Sequence, residues 1–195
     1  MLNAWDEIAA IELIGINIDL NSSRFESNVE GYKSLVALIH RARHAIRLNT
    51  VGPLNAAIGK GAVFDYFDEL RGIVERSTSD IFFVDPYLDA NFVARYLQFV
   101  PKGTQIRLLG RKGIEPLLTS VDAFAAQHGI SIALHATADL HDRYVFVDGK
   151  ECFQSGASFK DGAVHAPTTL TQITDAFSAM AQTYERLWDA ATIHR

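Results

Sequence analysis

The chain has 195 residues, 48% of them hydrophobic, and a formal net charge of −5. That length suits one globular domain with a real core and falls short of two ordinary domains plus a linker, while the negative balance excludes whole-molecule attraction to nucleic acid or anionic membrane. An anionic ligand would therefore need a local basic patch. Cys152 is the only cysteine, which excludes an intramolecular disulfide and a Cys-based zinc cluster. The first residues carry no basic region ahead of an apolar stretch, and no run approaches the ~18 apolar residues of a membrane span. A cytoplasmic protein without metal or cofactor is the expectation.

In chain order, "NAWDEIAAIEL" reads as the start of a short helix. Ile14, Ile16, Ile18 and Leu20 then alternate with Gly15, Asn17 and Asp19 at the period of a half-buried strand. Residues 1–26 are expected to form an N-terminal helix and strand extension that could add to a partner's sheet edge, and residues 27–195 the main domain. Val29, Tyr32, Leu35, Val36, Ile39, Ala42 and Ile46 have helical spacing, which "NTVGPLN" ends. A second helix is expected in "AVFDYFDELRGIVER".

Strands and helices alternate from there on: "IFFV" is a strand stopped by Pro86, "NFVARYLQFV" a helix, "QIRLLG" a strand, "IEPLLTSVDAFAAQHG" a helix and "ISIALHA" a strand. "DRYVFV" and "ECFQSG" form a hairpin across Asp148 and Gly149. "TTLTQIT" reads as a last strand and "AFSAMAQTYERLWDAA" as the closing helix. The order implies an α/β domain with a mixed sheet flanked by helices on both faces.

His141 and Arg143 stand two apart ahead of the "YVFV" run, so on a strand they would project from one face roughly 6 to 7 Å apart. That gap suits a phosphate. A neutral imidazole can attack phosphorus or move a proton near pH 7, and a guanidinium can grip phosphoryl oxygens with a two-pronged fork. Asp148 falls in the turn, where it would shape the hairpin.

"HDRYVFVD" followed by "GKECFQSGASF" resembles the H-x-K-x4-D signature and trailing G-S-x-N-F of the phospholipase D superfamily. The resemblance covers about residues 30 to 190, and its spacing from His141 to Phe159 is similar to that of a short bacterial endonuclease of the superfamily. It implies a metal-independent phosphodiesterase, acting on nucleic acid or another phosphodiester as a homodimer whose two motifs meet across a two-fold axis. His141 of one copy would attack phosphorus, His141 of the other would protonate the leaving oxygen, and the positive residues would neutralise the transition state. By the same resemblance His141, Arg143 and Asp148 are the catalytic positions, and Gly156, Ser158 and Lys160 would bind phosphate.

Three positions depart from the family pattern. Arg143 stands for lysine, which keeps the charge and changes its shape. Ser158 stands for asparagine. The glutamate that supports the histidine has no counterpart in "PTTLTQIT", where Thr169 or Gln172 is nearest, which leaves Asp85, Asp89 or Gln172 as possible supports. The departures motivate an alternative: a catalytically degenerate module that binds phosphate, nucleic acid or lipid headgroups, for instance inside a bacterial defence complex.

Other charged groups read more plainly. Arg107, Arg111 and Lys112, which follow or end "QIRLLG", could guide a polyanion toward the site and read more plainly as a solvated edge. His40 and His44 in "HRARHAIR" lack a third ligand for a metal and read as a basic helix face with Arg41, Arg43 and Arg47. "GKGA" at 59–62 lacks the elements of a phosphate-binding P-loop. His128, His135 and His194 have no recognisable partner, and His165 follows the motif in a loop.

Overall fold

The computed structural model describes residues 4–49 and 54–195, with side chains described at 12–39 and 54–195. The chain divides into two compact units, residues 1–51 and 52–195. The second helix pairs with the first inside the first of these units.

In the first unit, α1 (Ala4–Leu20) and α2 (Phe25–Asn49) form a helical pair. The strand expected at 14–20 is part of α1, so the proposed addition of that strand to a partner's sheet falls away. The alternation of Ile14, Ile16 and Ile18 is met differently on a helix: Ile16 is buried while Ile14 and Ile18 are exposed. No turn residue interrupts residues 4–14 to stop the helix expected at the start. α2 pairs closely with α1 at Gly31, where a Cβ would stand 2.8 Å from the Asp19 Cβ. The side chains of His40, Arg41, Arg43, His44 and Arg47 lie outside the described residues.

The second unit holds one eight-stranded sheet in the order β1-β7-β6-β5-β2-β3-β4-β8. Its strands are β1 (Asn55–Ile58), β2 (Asp80–Val84), β3 (Gln105–Gly110), β4 (Ile132–Ala136), β5 (Tyr144–Val147), β6 (Glu151–Ser155), β7 (Thr168–Gln172) and β8 (Thr192–Ile193). The pairs β2·β3 and β3·β4 are parallel and the rest antiparallel, so the sheet is mixed as expected. Helices supply the crossovers that parallel strands need: α4 (Ala90–Tyr96) between β2 and β3, and α5 (Ile114–His128) between β3 and β4.

The central strands are apolar on both faces because both faces are covered. Ile81, Phe83, Leu108, Val145 and Phe153 pack with Leu70, Phe92 and Leu117 of α3 (Val63–Val74), α4 and α5. On the other face Phe82, Val84, Phe146 and Cys152 pack with Tyr184, Met180 and Trp188 of α6 (Phe177–Ala190). β1 and β8, the two edge strands, are short and carry little sequence signal. Among the described residues no helix is long and apolar enough to cross a membrane.

Candidate functional site

Register fixes which residues meet. Val84 pairs with Tyr144, Tyr144 with Gln154, and Ser155 with Leu170. The ends of β2, β3 and β6 and the beginnings of β5 and β7 therefore share one end of the sheet. His141 and Arg143 precede β5 there, together with Asp85, Arg111 and Ser155 to Lys160. Asp148 and Gln172 lie at the opposite end, and the motif is divided between the two.

At the far end the hairpin turns through Asp148 and Gly149, whose φ values of 52° and 62° are both positive, as a type I′ turn requires. The Asp148 carboxylate accepts hydrogen bonds from the backbone N–H groups of Thr78, Ser79 and Asp80 and from the hydroxyls of Thr78 and Ser79, at 2.7 to 3.0 Å. Desolvation raises the pKa of this carboxyl, but the donors outweigh it and hold the group well below the usual carboxylate range. Asp148 ties β5 to the start of β2 and touches no group at the His141 end. Gln172, weighed as a support for the histidine, donates to Glu151 at 3.0 Å and accepts from the Leu54 N–H at 3.1 Å. Both contacts place it away from His141.

At the near end, β5 begins only at Tyr144, so His141 and Arg143 are not on the strand and the expected same-face geometry is replaced by an irregular lead-in. Arg143 is nonetheless anchored, because its carbonyl accepts the Ser155 N–H at 3.0 Å and extends the hairpin ladder by one step. Its guanidinium carbon lies 5.7 Å from the centre of the Tyr87 ring, and its Nε is buried without a hydrogen-bond partner. Such an atom is costly to leave unpaired.

His141 is exposed, and its Nδ1 lies 3.2 Å from Arg111 Nη1, which also donates to the Leu140 carbonyl at 3.0 Å. Arg111, read from sequence as a solvated edge, is thus the group that positions the imidazole. The signal that could have found it is its place at the end of β3, one strand beyond the β2·β5 pair, since functional groups gather at strand ends in open α/β sheets. Arg111, Lys112, His141 and His194 line a cavity of about 710 Å³ beside the His141 ring. Arg107 belongs elsewhere: it grips Asp80 and Glu185 at 2.7 to 2.9 Å and stacks on Phe82.

Asp85 is buried under this end. It accepts from Ser158 Oγ at 2.7 Å, the Phe159 N–H at 2.8 Å and the Tyr87 N–H at 2.9 Å. Desolvation pushes its carboxyl pKa up, against the pull of those donors and of the Arg143 charge. Asp85 thus holds the 158–159 loop and faces the Arg143 field, and no contact joins it to the histidine. Asp89 caps α4 through the Phe92 N–H at 3.0 Å. Lys160 lies 3.7 Å from Asp89 and 3.8 Å from Asp161, so carboxylates on both sides offset its charge.

Gly156 is required for close approach: a Cβ there would meet Thr168 Oγ1 at 2.9 Å, while its N–H donates to the Thr169 carbonyl at 3.0 Å. Beneath it, Ser155 Oγ donates to the Ala157 carbonyl and lies 2.7 Å from Tyr66 Oη. A serine has one O–H to give, so Tyr66 donates to Ser155, and burial pushes the phenol pKa up. Tyr66 and Tyr87 escaped the reading of the sequence, since nothing local links them to the motif.

No family sequence model and no curated protein sequence matches this chain. Solved structures do. NucT from Helicobacter pylori aligns with a TM-score of 0.56 at 9% identity, covering 73% of this chain and 99% of its own. Nuc from Salmonella typhimurium, a phospholipase D family member, aligns with a TM-score of 0.54 at 11% identity, over 74% of this chain and 99% of its own. TrmBL2, an archaeal DNA-binding chromatin protein, aligns with a TM-score of 0.55 at 15% identity; the match covers 96% of this chain, which spans only 66% of TrmBL2. These alignments show that this chain has the fold of NucT and of Nuc, the phospholipase D family member.

Proposed function

We propose that the chain is a phosphodiester-binding domain that holds a nucleic-acid backbone at the His141 and Arg143 end of its sheet without cutting it. The observation that carries this reading is the partner of His141. A phosphohistidine mechanism needs a ring nitrogen with its lone pair free toward phosphorus and the opposite N–H held by an acceptor, as a carboxylate would provide. Here the partner is the Arg111 guanidinium, which can only donate. Its bond to Nδ1 occupies that lone pair and leaves the proton on Nε2, so the ring's other nitrogen presents an N–H suited to a phosphoryl oxygen.

The Arg143 guanidinium over Tyr87 supplies a second cation, and Lys112 a further one at the neighbouring cavity. Together they make the local basic patch that a chain of net charge −5 needs to hold a polyanion. The DNA binding of TrmBL2, which has a similar fold, supports nucleic acid as the ligand class.

Fluorescence anisotropy with a labelled single-stranded oligonucleotide in EDTA tests the reading. Binding should weaken with salt, and should weaken at least tenfold in Arg143→Ala, with the oligonucleotide recovered intact. Cleavage that disappears in His141→Ala would overturn it.

The resemblance also supports a hydrolytic reading, and the exposure of His141 favours it, because a second copy could bring its own His141 to the same phosphate. In that scheme the active enzyme is a homodimer across the site. Its signature is a phosphohistidine on His141, trapped by an alkaline quench after incubation with labelled DNA or RNA; an unlabelled protein after prolonged incubation removes this reading.

A further inference from the structure

α2 carries two apolar faces, and α1 takes only one of them. Gly31 and Leu38 are buried on the α1 side. Around the helix lie Phe25, Val29, Tyr32, Val36 and Ile39, spaced alternately four and three residues apart. That is the spacing at which a straight stripe of knobs faces a second helix. Phe25 is 82% exposed, Tyr32 63% and Ile39 55%, with Val29 and Val36 half-buried between them; single exposed apolar residues are ordinary, and a regular row of them is not.

We propose that this stripe is the seam of a homodimer, with α2 of one copy packed on α2 of a second. Two observations select a second copy as the occupant. The four-three spacing makes the stripe self-complementary, because the side chains of one helix fill the gaps between those of an identical helix across a two-fold axis. The area is sufficient: at roughly 150 to 250 Å² for a buried aromatic side chain, the five residues bring on the order of 500 Å² per copy, near the ~1,000 Å² total at which a specific interface begins.

The seam lies in the first unit and His141 in the second, so this dimer stands whether or not the site binds phosphodiesters.

Light scattering and sedimentation equilibrium of the full chain at 1 to 100 μM should show a dimer. Tyr32→Glu with Ile39→Glu should raise its dissociation constant at least a hundredfold, and His141→Ala should leave it unchanged. A second measurement does not depend on how the charged variant folds. Cys152 is buried, and burial pushes its thiol up to about 12, so a short bismaleimide reaches only an introduced cysteine. Val36→Cys on the seam should cross-link into dimers and Glu30→Cys, exposed off the seam, should not. A monomeric wild type, equal cross-linking at both positions, or dissociation by His141→Ala would overturn the proposal.

Discussion

The two ends of the β5–β6 hairpin carry charged groups from one short motif in opposite physical states. At the turn, Asp148 is saturated: five donor groups surround its carboxylate. At the open end, Arg143 keeps a buried Nε without a partner, and exposed His141 receives its contact from another cation. A group whose hydrogen bonds are all met within the chain has its energy invested in the fold. A group left with donors to spare has that energy available for a ligand. The comparison divides the motif into a fastener and a grip, and the expected effects of mutation divide in the same way.

The largest effect belongs to the fastener. Asp148→Ala leaves the donors of Thr78, Ser79 and Asp80 to water and places alanine at a φ of 52°, so it should cost about 1 to 2 kcal/mol of stability in denaturant unfolding. The pH dependence has a definite sign. Because the folded carboxyl lies below its ordinary value, near about 3.9 in the unfolded chain, its contribution is complete above that value and is lost as pH falls through the folded value. Asp148→Asn should therefore flatten the acid side of the stability profile below about pH 4. An unchanged acid limb would mean that the five donors do not select the charged form.

Arg143→Ala sharpens the contrast from the other side. Removing a guanidinium with an unpaired Nε should cost less than about 1 kcal/mol of stability, while oligonucleotide affinity should fall at least tenfold. Arg143→Lys should recover part of the binding, since it restores the charge but not the fork. If Arg143→Ala unfolds the protein as severely as Asp148→Ala, the division between fastener and grip fails. Tyr66→Phe, beneath the grip, should be milder in binding, though it costs about 1 kcal/mol of stability for the lost donation to Ser155. Its binding should stay close to wild type, which an anisotropy titration would show.

These contacts also explain which features were legible in the sequence. "IFFV", "QIRLLG" and "YVFV" read as strands because each is buried on both faces, and a short apolar run between turn signals is what such burial requires. The Asp-Gly pair declared its own turn. Position along the chain could not show that Arg111 meets His141, thirty residues later, because that meeting follows from β2 lying between β3 and β5. Asp85 was visible as a charge at a strand end, but its donors Ser158 and Phe159 come from a loop more than seventy residues away. Residues 14–20 differ for a simpler reason: isoleucine at alternate positions satisfies a strand period, and α2 supplies the partner that makes the segment a helix.

The smallest change in stability should carry the most information about chemistry. Arg111 donates both to the Leu140 carbonyl and to His141 Nδ1, and methionine there would remove both bonds at a cost of about 1 kcal/mol or less. In the wild type, nitrogen NMR of His141 should show Nδ1 as the unprotonated nitrogen and Nε2 as the N–H, because a guanidinium has nothing to accept with. In Arg111→Met the ring is released, so the two tautomers should both be populated. A wild-type ring with its proton on Nδ1 would break the contact with Arg111 and return Nε2 to the role of nucleophile. The tautomer of one exposed histidine thus separates a domain that holds a phosphodiester from one that opens it.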